Sequence, residues 1–368
     1  MISLKDIFSF STPEDIAGVV GIDIGSSSIK VVELQEKKGV LSLNTYGELQ
    51  LGPYIDKQIG ESVTSSAKQE QEALVDMIRE AAVKAKSAVF AMPLSSSFVT
   101  NVTIDAEPDA DISALVRVEA RKVIPASLSE ITLDWAEVEV GPTEETKEKE
   151  KKAVVEKKPR SVLIAAIQNI ALERFRTLML FVGLKQPPTE IECFSAIRAL
   201  HTSADQNIAI IDIGAISSKL YIAQSGMLMR MHRIRAGGAL ATNRIASILN
   251  VSFEDAEIMK REAKRTDSKF TDIKRAHDST YERALREFAQ VIREFELKNN
   301  VTISTVYLSG GGALFPGVDT LVQDIIGHQV VRAHPFAKVS YPAFMQDTIK
   351  EIGPSFSVAL GAALRSYE

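Results

Sequence analysis

The sequence predicts an α/β protein with two related lobes on either side of a cleft. Three observations indicate this: a short motif occurs twice, strand-forming runs are interspersed with helical periodicity, and the chain is too long for one core. It has 368 residues, whereas single hydrophobic cores usually stop growing at roughly 250–300. We therefore expect each lobe to contain one copy of the motif.

The composition is that of an ordinary folded protein, with 45% apolar and 25% charged residues. The net charge of −5 provides no field that would attract a phosphate backbone, so we expect no nucleic-acid partner. The single cysteine, Cys193, excludes an intrachain disulfide and fits a reducing, cytoplasmic location. Because it lies in an apolar stretch, we expect it to be a small packing residue.

No apolar run reaches the length of about 18 residues that a membrane span needs. The N-terminal segment, residues 1–16, lacks the pattern of a signal peptide. Its apolar side chains could pack on the body of this chain or on another protein. Membrane contact is therefore expected to be indirect, through a partner.

The repeated motif is an Asp followed two residues later by Gly and seven later by Lys. The first copy is Asp23, Gly25 and Lys30, and the second, about 190 residues on, is Asp212, Gly214 and Lys219. Strand-forming runs flank both copies, at 17–24 and 29–34 and at 207–213 and 219–223. Each copy therefore predicts a β-hairpin with a small, polar turn.

Between the two copies, periodicity predicts helices over 69–86, 112–123 and 171–182 and strands over 88–92, 100–104, 131–140 and 162–167. This order predicts a small α+β insertion over 100–186. The mixed charges of 143–160 interrupt it and predict a solvated loop, with a docking segment as the alternative.

After the second copy, the pattern predicts helices over 242–249, 253–264, 280–299, 314–326 and 355–366, and a strand over 304–308. In the long helix, apolar residues recur every three or four positions and predict a buried face. They are Tyr281, Leu285, Phe288, Ile292 and Phe295.

The two turns have the chemistry that a nucleoside triphosphate needs, because small residues let phosphate oxygens approach backbone N–H groups. The first contains Gly25, Ser26, Ser27 and Ser28, with Lys30 as a point charge; the second contains Gly214, Ala215, Ile216, Ser217 and Ser218. Asp23 and Asp212, at strand ends, are predicted to hold Mg²⁺ through water. One such turn alone is ordinary turn chemistry, but two with matched spacing favour a phosphate site.

A third element is the glycine run Gly310, Gly311 and Gly312 after a predicted strand, where a flat base or a sugar could approach the backbone. Its spacing matches neither a P-loop nor a Rossmann dinucleotide motif.

Five motifs, at 23–30, 191–199, 212–219, 308–317 and 358–364, occur in the order typical of actin-like (ASKHA) proteins. Together they resemble the superfamily of actin, FtsA and PilM over nearly the whole chain. The stretches 21–34 and 233–238 resemble the PilM family most. The chain stops at Glu368 without the C-terminal membrane helix of FtsA, which also favours PilM.

The resemblance implies two lobes around a nucleotide cleft with an inserted α+β subdomain of the FtsA and PilM type. We expect the N-terminal segment to be followed by seven pieces that form four subdomains. Subdomain 1A would comprise 17–99, 187–205 and 338–368; 1C would comprise 100–186; 2A would comprise 206–241 and 300–337; and 2B would comprise 242–299.

The resemblance also implies roles for residues in binding ATP. The first turn and Lys30 would contact the β- and γ-phosphates, with the second turn facing them, and the glycine run would lie beside the α-phosphate and adenosine. Gly237 and Gly238, in the stretch after the second turn, would also belong to the nucleotide site. Glu257 and Lys260 would approach ribose and base, or would form an ordinary i,i+3 pair.

The sequence does not decide whether ATP is hydrolysed. Glu192 lies where related proteins have an acidic residue near the attacking water, although a polar residue at a strand end is an equal interpretation. With Asp23 and Asp212 it is a candidate catalytic residue of a slow ATPase.

Partners are implied by the resemblance alone. PilM-like proteins bind the N-terminal cytoplasmic tail of the inner-membrane protein PilN near the inserted subdomain, and belong to a complex with the pilus motor ATPase. We therefore expect a cytoplasmic scaffold, peripheral to the inner membrane, and a homo-oligomer stays open. The alternatives are an FtsA-like polymerising division protein and an ASKHA kinase for a small metabolite.

Overall fold

The computed structural model describes residues 18–62, 66–138, 157–185, 189–203 and 206–368. Its strands are β1 Val19–Ile24, β2 Ser28–Lys37, β3 Val40–Gln50, β4 Ser87–Met92, β5 Ser97–Ala106, β6 Ile131–Val138, β7 Lys158–Gln168, β8 Glu190–Ile191, β9 Asn207–Ile213, β10 Ser218–Gln224, β11 Met227–Ile234, β12 Thr305–Ser309 and β13 Val330–Arg332. Its helices are α1 Ala67–Glu80, α2 Ser113–Val123, α3 Asn169–Phe181, α4 Glu192–Leu200, α5 Gly238–Leu249, α6 Phe253–Glu262, α7 Phe270–Asn299, α8 Val318–Ile326, α9 Gln346–Ile352 and α10 Ser357–Leu364.

Two five-stranded sheets share one topology. The first lobe has the strand order β3-β2-β1-β4-β8, and the second has β11-β10-β9-β12-β13. In each, a hairpin pair is antiparallel and the next strand joins in parallel. Asp23 pairs with Lys30 across the first hairpin, and Asp212 pairs with Lys219 across the second. Both predicted hairpins are confirmed, and the sequence repeat is a repeat of structure.

The central strands of the second lobe are buried on both faces. Because side chains alternate along a strand, Tyr221 and Ala223 face one side while Leu220 and Ile222 face the other. The first pair joins the hydrophobic cluster that contains α4, and the second joins the cluster built around α7. Helix α4 therefore packs between the two sheets.

Helix α10 is buried all round, which its Gly and Ala residues make possible. A Cβ at Gly361 would lie 1.8 Å from the carbonyl oxygen of Ser195 in α4, and one at Gly21 in β1 would lie 1.9 Å from the carbonyl oxygen of Ala359. Only glycine permits this close packing. The helix predicted near the end of the chain is confirmed, and it holds α4 against the first sheet.

A small antiparallel sheet, β5-β7-β6, lies beside the two lobes. Helix α2 covers one of its faces and packs Val116 onto Ile164 and its neighbours. The side-chain amide of Asn101 in β5 donates to the carbonyl oxygens of Leu228 and Met229 in β11, which ties the small sheet to the second lobe. Strand β5 begins at residue 97, just before the predicted insertion, and the subdomain boundaries stay a prediction.

Several predicted helix bounds were wrong, the start of the longest helix by ten residues. Helix α1 ends at Glu80 because Ala82 adopts a left-handed conformation, with φ at 51°. Helix α8 begins at Val318 and not at 314, because Pro316 and Gly317 follow the glycine turn. Helix α7 begins at Phe270, ten residues before the prediction, since small and polar residues continue its buried face. The five apolar residues predicted for that face are all buried, as is Cys193.

Only residues 157–160 of the predicted solvated loop, 143–160, belong to the part of the chain that the structure describes. Residues 143–156 lie outside the described residues, as does the N-terminal segment 1–16. Residues 158–160 are not loop but the start of β7, where Arg160 Nε donates to Glu137 Oε2 at 2.9 Å. Among the described helices, none combines the length and apolar character needed to cross a membrane.

Candidate functional site

A cavity of about 390 Å³ lies between the two lobes. This volume falls in the range of roughly 300–1,000 Å³ that is common for ligand pockets. Both hairpin turns, the glycine run after β12 and helices α6 and α7 contribute to its lining. The motifs that are far apart in the sequence therefore converge on one space.

The two hairpin turns have the same geometry. Gly25 N–H donates to Ser28 O at 2.9 Å, and Gly214 N–H donates to Ser217 O at 3.0 Å. In each turn, a Cβ on the glycine would lie 3.2 Å from the same acceptor oxygen. The absence of a side chain keeps both turns tight and leaves their backbone open to the cavity, which is how backbone N–H groups bind phosphate oxygens.

Charged side chains concentrate where the two turns meet. Asp23, Glu192 and Asp212 all line the cavity, together with Lys30 and Lys219. Burial raises the pKa of Asp23 to about 6; Lys30 and Lys219 oppose this rise, whereas the carboxylates of Glu192 and Asp212 add to it. The site therefore brings three carboxylates and two ammonium groups together in a small space.

Glu192 is the first residue of α4 and follows directly on β8. Its Oε1 accepts from the backbone N–H of Leu94 at 2.8 Å, and its Oε2 accepts from Nζ of Lys219 at 2.7 Å. Glu192 therefore lies at the end of a strand, as one interpretation of the sequence predicts, and also in the wall of the cavity, as a role near the nucleotide requires.

The glycine run after β12 packs against the second hairpin. Gly310 has φ at 83°, and a Cβ there would lie 2.4 Å from Oδ1 of Asp212. A Cβ at Gly312 would lie 2.2 Å from Cγ2 of Ile213, whereas a Cβ at Gly311 would meet nothing within 4 Å. Gly310 and Gly312 are thus required for packing, and Gly311 borders open space in the cavity.

Helix α6 presents Glu257 and Lys260 to the cavity as an i,i+3 ion pair with Nζ–Oε2 at 2.6 Å. The predicted i,i+3 pair is present, but Glu257 is buried and does not lie on a solvated face. Both residues line the cavity, and their contact with ribose and base stays a prediction. Arg261 Nε donates to the other oxygen of Glu257, Oε1, at 2.7 Å, and Thr242 Oγ1 donates to Oε2 at 2.5 Å. Burial raises the pKa of Glu257, but the charge of Lys260 and these hydrogen bonds outweigh it and hold the pKa below its usual value.

An aromatic group closes the same end of the cavity. The rings of His277 and Phe315 stack with centroids 3.7 Å apart, and Tyr281 lies 4.9 Å from His277. Burial lowers the pKa of His277 although Asp278 opposes the shift, so its imidazole stays neutral at pH 7. This end of the cavity is flat and apolar beside charged groups.

Most predicted site residues meet at the cavity. They are Asp23, Gly25, Ser26, Ser27, Ser28, Lys30, Glu192, Asp212, Gly214, Ala215, Ser217, Gly238, Glu257, Lys260, Gly310, Gly311 and Gly312. Two predictions do not reach it. Ser218 is buried and donates to Ala236 O at 2.5 Å, and Gly237 packs against the second turn, where a Cβ would lie 2.5 Å from Ala215 O.

Sequence reasoning missed several lining residues, including Glu48, Arg261, His277, Tyr281 and Phe315. These come from a strand, two helices and a turn with no recognisable motif, so no local signal marks them. Lys219 was visible as the second lysine of the repeat, but its contacts were not.

A triphosphate with Mg²⁺ fits the residues that are present. Among the described residues, no group of three or more His, Cys, Asp and Glu side chains could hold a metal ion by itself. Mg²⁺ is usually bound by one or two carboxylates with phosphate oxygens and waters, which Asp23 and Asp212 suit. The open turns and the unobstructed Gly311 suit the phosphates and the sugar.

Known proteins are similar to this chain over nearly its whole length. A family model described as type IV pilus assembly protein PilM matches residues 21–367. A solved PilM–PilN type IV pilus biogenesis complex is similar over 95% of this chain and 98% of its own, with 23% identity and a TM-score of 0.76.

Two further solved structures are more distant. MreB 5 of Spiroplasma citri bound to AMPPNP is 12% identical over 95% of each chain, with a TM-score of 0.51. The ethanolamine utilization protein EutJ from Carboxydothermus hydrogenoformans is 15% identical over 98% of this chain and 93% of its own, with a TM-score of 0.52. These likenesses confirm the predicted actin-like fold.

Proposed function

This chain belongs to the PilM family of type IV pilus assembly proteins, and from that premise we propose that it is an ATP-binding scaffold at the cytoplasmic face of the inner membrane. The scaffold binds ATP with Mg²⁺ in the cleft and the cytoplasmic tail of a PilN-like membrane protein on its surface. One observation supports the proposed nucleotide site. Two turns of equal geometry open onto one cavity, and a glycine run packs beside them.

Each group has a role in this proposal. The backbone of the two turns, with Ser26, Ser27 and Lys30, binds the phosphates. Asp23 and Asp212 hold Mg²⁺, which neutralises phosphate charge when it is bound. The glycine run and the end of the cavity near Lys260 receive the nucleoside.

The nucleotide site is tested by isothermal titration of purified protein with ATP and Mg²⁺. Asp23→Ala should weaken binding by about tenfold or more, because the variant lacks one of the two carboxylates placed near Mg²⁺. Asp324→Ala, on the exposed side of α8, is the matched control and should bind as the wild type does. If a folded Asp23→Ala protein bound ATP with unchanged affinity, the proposed nucleotide site would be wrong.

The partner proposal has its own support, since the structurally similar complex pairs a PilM with a PilN. A synthetic peptide of the N-terminal cytoplasmic tail of a PilN-like protein should bind this chain, measured by fluorescence polarisation. Co-purification from membranes tests the further proposals of a complex with the pilus motor ATPase and of self-association. Nucleotide-dependent filaments would favour the FtsA-like alternative, and a phosphorylated small metabolite would favour the kinase.

A further inference from the structure

Two side chains of α7 border the cavity at the end where the nucleoside is proposed to bind. His277 and Tyr281 are four residues apart, so they lie on one face of the helix, and their ring centroids are 4.9 Å apart. Both line the cavity, and each is only 1% exposed. Each side chain is therefore buried except where it meets the cavity.

Both side chains have a polar atom that the protein does not use. Among the described residues, Nε2 of His277 and the hydroxyl of Tyr281 have no hydrogen-bond partner. In the part of the chain that the structure describes, the partnerless polar atoms that are sealed in the interior belong to other residues, namely Asn101, His201 and Tyr221. Nε2 and the Tyr281 hydroxyl therefore both reach open space, and the space that borders their residues is the cavity.

The hydrogen bond on the other side of the imidazole fixes its tautomer. Nδ1 of His277 lies 3.1 Å from Oδ1 of Asp278, whose second oxygen accepts from Lys274. Burial raises the pKa of Asp278, but the hydrogen bonds from His277 and Lys274 outweigh it and hold the pKa below its usual value. A charged carboxylate can only accept, so Nδ1 carries the proton. Because the imidazole is neutral, Nε2 then has a lone pair and no proton.

The ring of His277 is also held in one orientation. Phe315 stacks on it with centroids 3.7 Å apart and planes 12° from parallel, and the hydrogen bond to Asp278 opposes a flip of the ring. The lone pair of Nε2 therefore points in a fixed direction. A ligand that donates to it meets an acceptor that is already oriented, which favours specific binding.

An acceptor in this position distinguishes between the two kinds of purine. Adenine has an amino group at C6, which donates, whereas guanine and hypoxanthine have a carbonyl oxygen there, which accepts. We propose that Nε2 of His277 accepts from the 6-amino group of adenine, so that the site selects ATP over nucleotides with a 6-oxo base. This selection rests on the ATP site proposed above, where His277 is the specificity-determining residue.

The Tyr281 hydroxyl has a different effect. Burial raises the pKa of Tyr281 and the charge of Glu257 adds to the rise, so the hydroxyl keeps its proton. A hydroxyl both donates and accepts, and it can therefore pair with N1 of adenine or with the N1–H of a 6-oxo purine. It adds affinity for either base without choosing between them. Selection falls to His277 because its Nε2 can only accept.

Isothermal titration in the presence of Mg²⁺ with three triphosphates tests base selection. They are ATP, inosine triphosphate, which has the 6-oxo group, and purine riboside triphosphate, which has only hydrogen at C6. Wild-type protein should bind ATP about tenfold or more tightly than either analogue, because each leaves the buried Nε2 without a donor. Inosine triphosphate should bind most weakly, since its carbonyl oxygen also repels the lone pair.

Three variants separate recognition of the base from binding of the phosphates. His277→Phe keeps a ring against Phe315 but has no acceptor, and should bind the three triphosphates with affinities within about threefold of one another. Tyr281→Phe should bind all three more weakly and keep the wild-type preference for ATP. His232→Phe is the matched control and should behave as the wild type does, because His232 lies in β11, packs edge-on against Phe288 and does not line the cavity.

Equal affinity of the wild type for the three triphosphates would overturn this proposal and leave the ATP site in place. A folded His277→Phe protein that keeps the wild-type preference would overturn it in the same way. If His277→Phe does not fold, His277→Gln replaces it, because an amide can present either a donor or an acceptor and should also lose the preference. A wild-type protein that binds none of the three would overturn the ATP site as well.

Discussion

Gly60 of the first lobe lies directly against Glu257 of the second. A Cβ at Gly60 would lie 2.5 Å from Oε1 of Glu257, so a side chain would overlap the carboxylate. Beside this contact, Arg261 Nη2 donates to Oε1 of Gln50 at 3.2 Å, again from one lobe to the other. These two contacts join the lobes beside the cavity, so we expect their loss to loosen the cleft.

Gly60→Ala is expected to speed nucleotide release. The new methyl group displaces the Glu257 carboxylate, which Thr242, Lys260 and Arg261 hold in place, and so weakens closure of the cleft. Release of a fluorescent ATP analogue in stopped flow measures this, and several-fold faster release is expected. The left-handed φ of 86° should also cost about 1–2 kcal/mol of stability.

Gly39→Ala is the matched control for that backbone cost. Gly39 also has a left-handed φ, of 75°, but its Cβ would meet nothing within 4 Å. Urea unfolding should show a similar loss of stability in both variants, with normal nucleotide release only in Gly39→Ala. Equal release rates in the two variants would contradict the role given to Gly60.

Neighbouring glycines of the turn after β12 should respond in opposite ways. Gly310→Ala forces a methyl group onto Asp212 and the backbone at Ile213, so we expect a loss of roughly 3 kcal/mol or more in the free energy of unfolding. Gly311→Leu places its side chain into open space in the cavity and should leave stability nearly unchanged while reducing ATP affinity. Urea unfolding and calorimetric titration separate the two effects.

The ion pair of Arg198 and Glu190 is buried, with side chains 1% and 2% exposed and Nη2–Oε1 at 2.6 Å. Arg198→Met should cost about 3–5 kcal/mol, because it leaves the Glu190 carboxylate buried near less positive charge. Arg176, paired with Glu173 on the surface of α3, is the control, and Arg176→Met should cost under about 1 kcal/mol. Chemical denaturation gives both values, and similar losses would contradict the argument.

His277 should make the stability of the protein depend on pH. Burial lowers its pKa in the folded state, with Lys260 and Lys274 also lowering it and Asp278 opposing them. As pH falls through about 6.5, the unfolded chain binds a proton that the folded chain does not, so stability is lost below that pH. In His277→Phe, which keeps a ring against Phe315, the free energy of unfolding should fall less between pH 7 and pH 5. Identical pH profiles would show that another group is responsible.

The sequence was sufficient for the fold because the fold depends on local patterns. Each hairpin needs only a strand run, a small turn and a second strand, and matched spacing in the two copies reveals the two lobes. The helix near the end of the chain was also predicted, but the close packing of its Gly361 on Ser195 was not, because that contact joins distant parts of the chain. Helix starts were less accurate where small and polar residues such as Ala276 and His277 continue a buried face.

The site was less predictable where it depends on contacts between distant elements. The stacking of His277 on Phe315 joins α7 to the turn after β12, and neither residue belongs to a motif. The partner of Lys219 could not be read from spacing, because Lys30 has the same spacing and a different partner. Ser218 looked like a phosphate ligand, yet alternation along β10 turns it away from the cavity.

Helix α4 gives the molecule a mechanical property. It contacts the second sheet along one side, receives α10 of the first lobe on another, and begins at Glu192 in the cavity wall. Helix α4 is therefore the element that both lobes and the cavity share, so a displacement of Glu192 would act on both sheets at once. The small sheet is connected to the same path through Asn101, which donates to β11 of the second lobe.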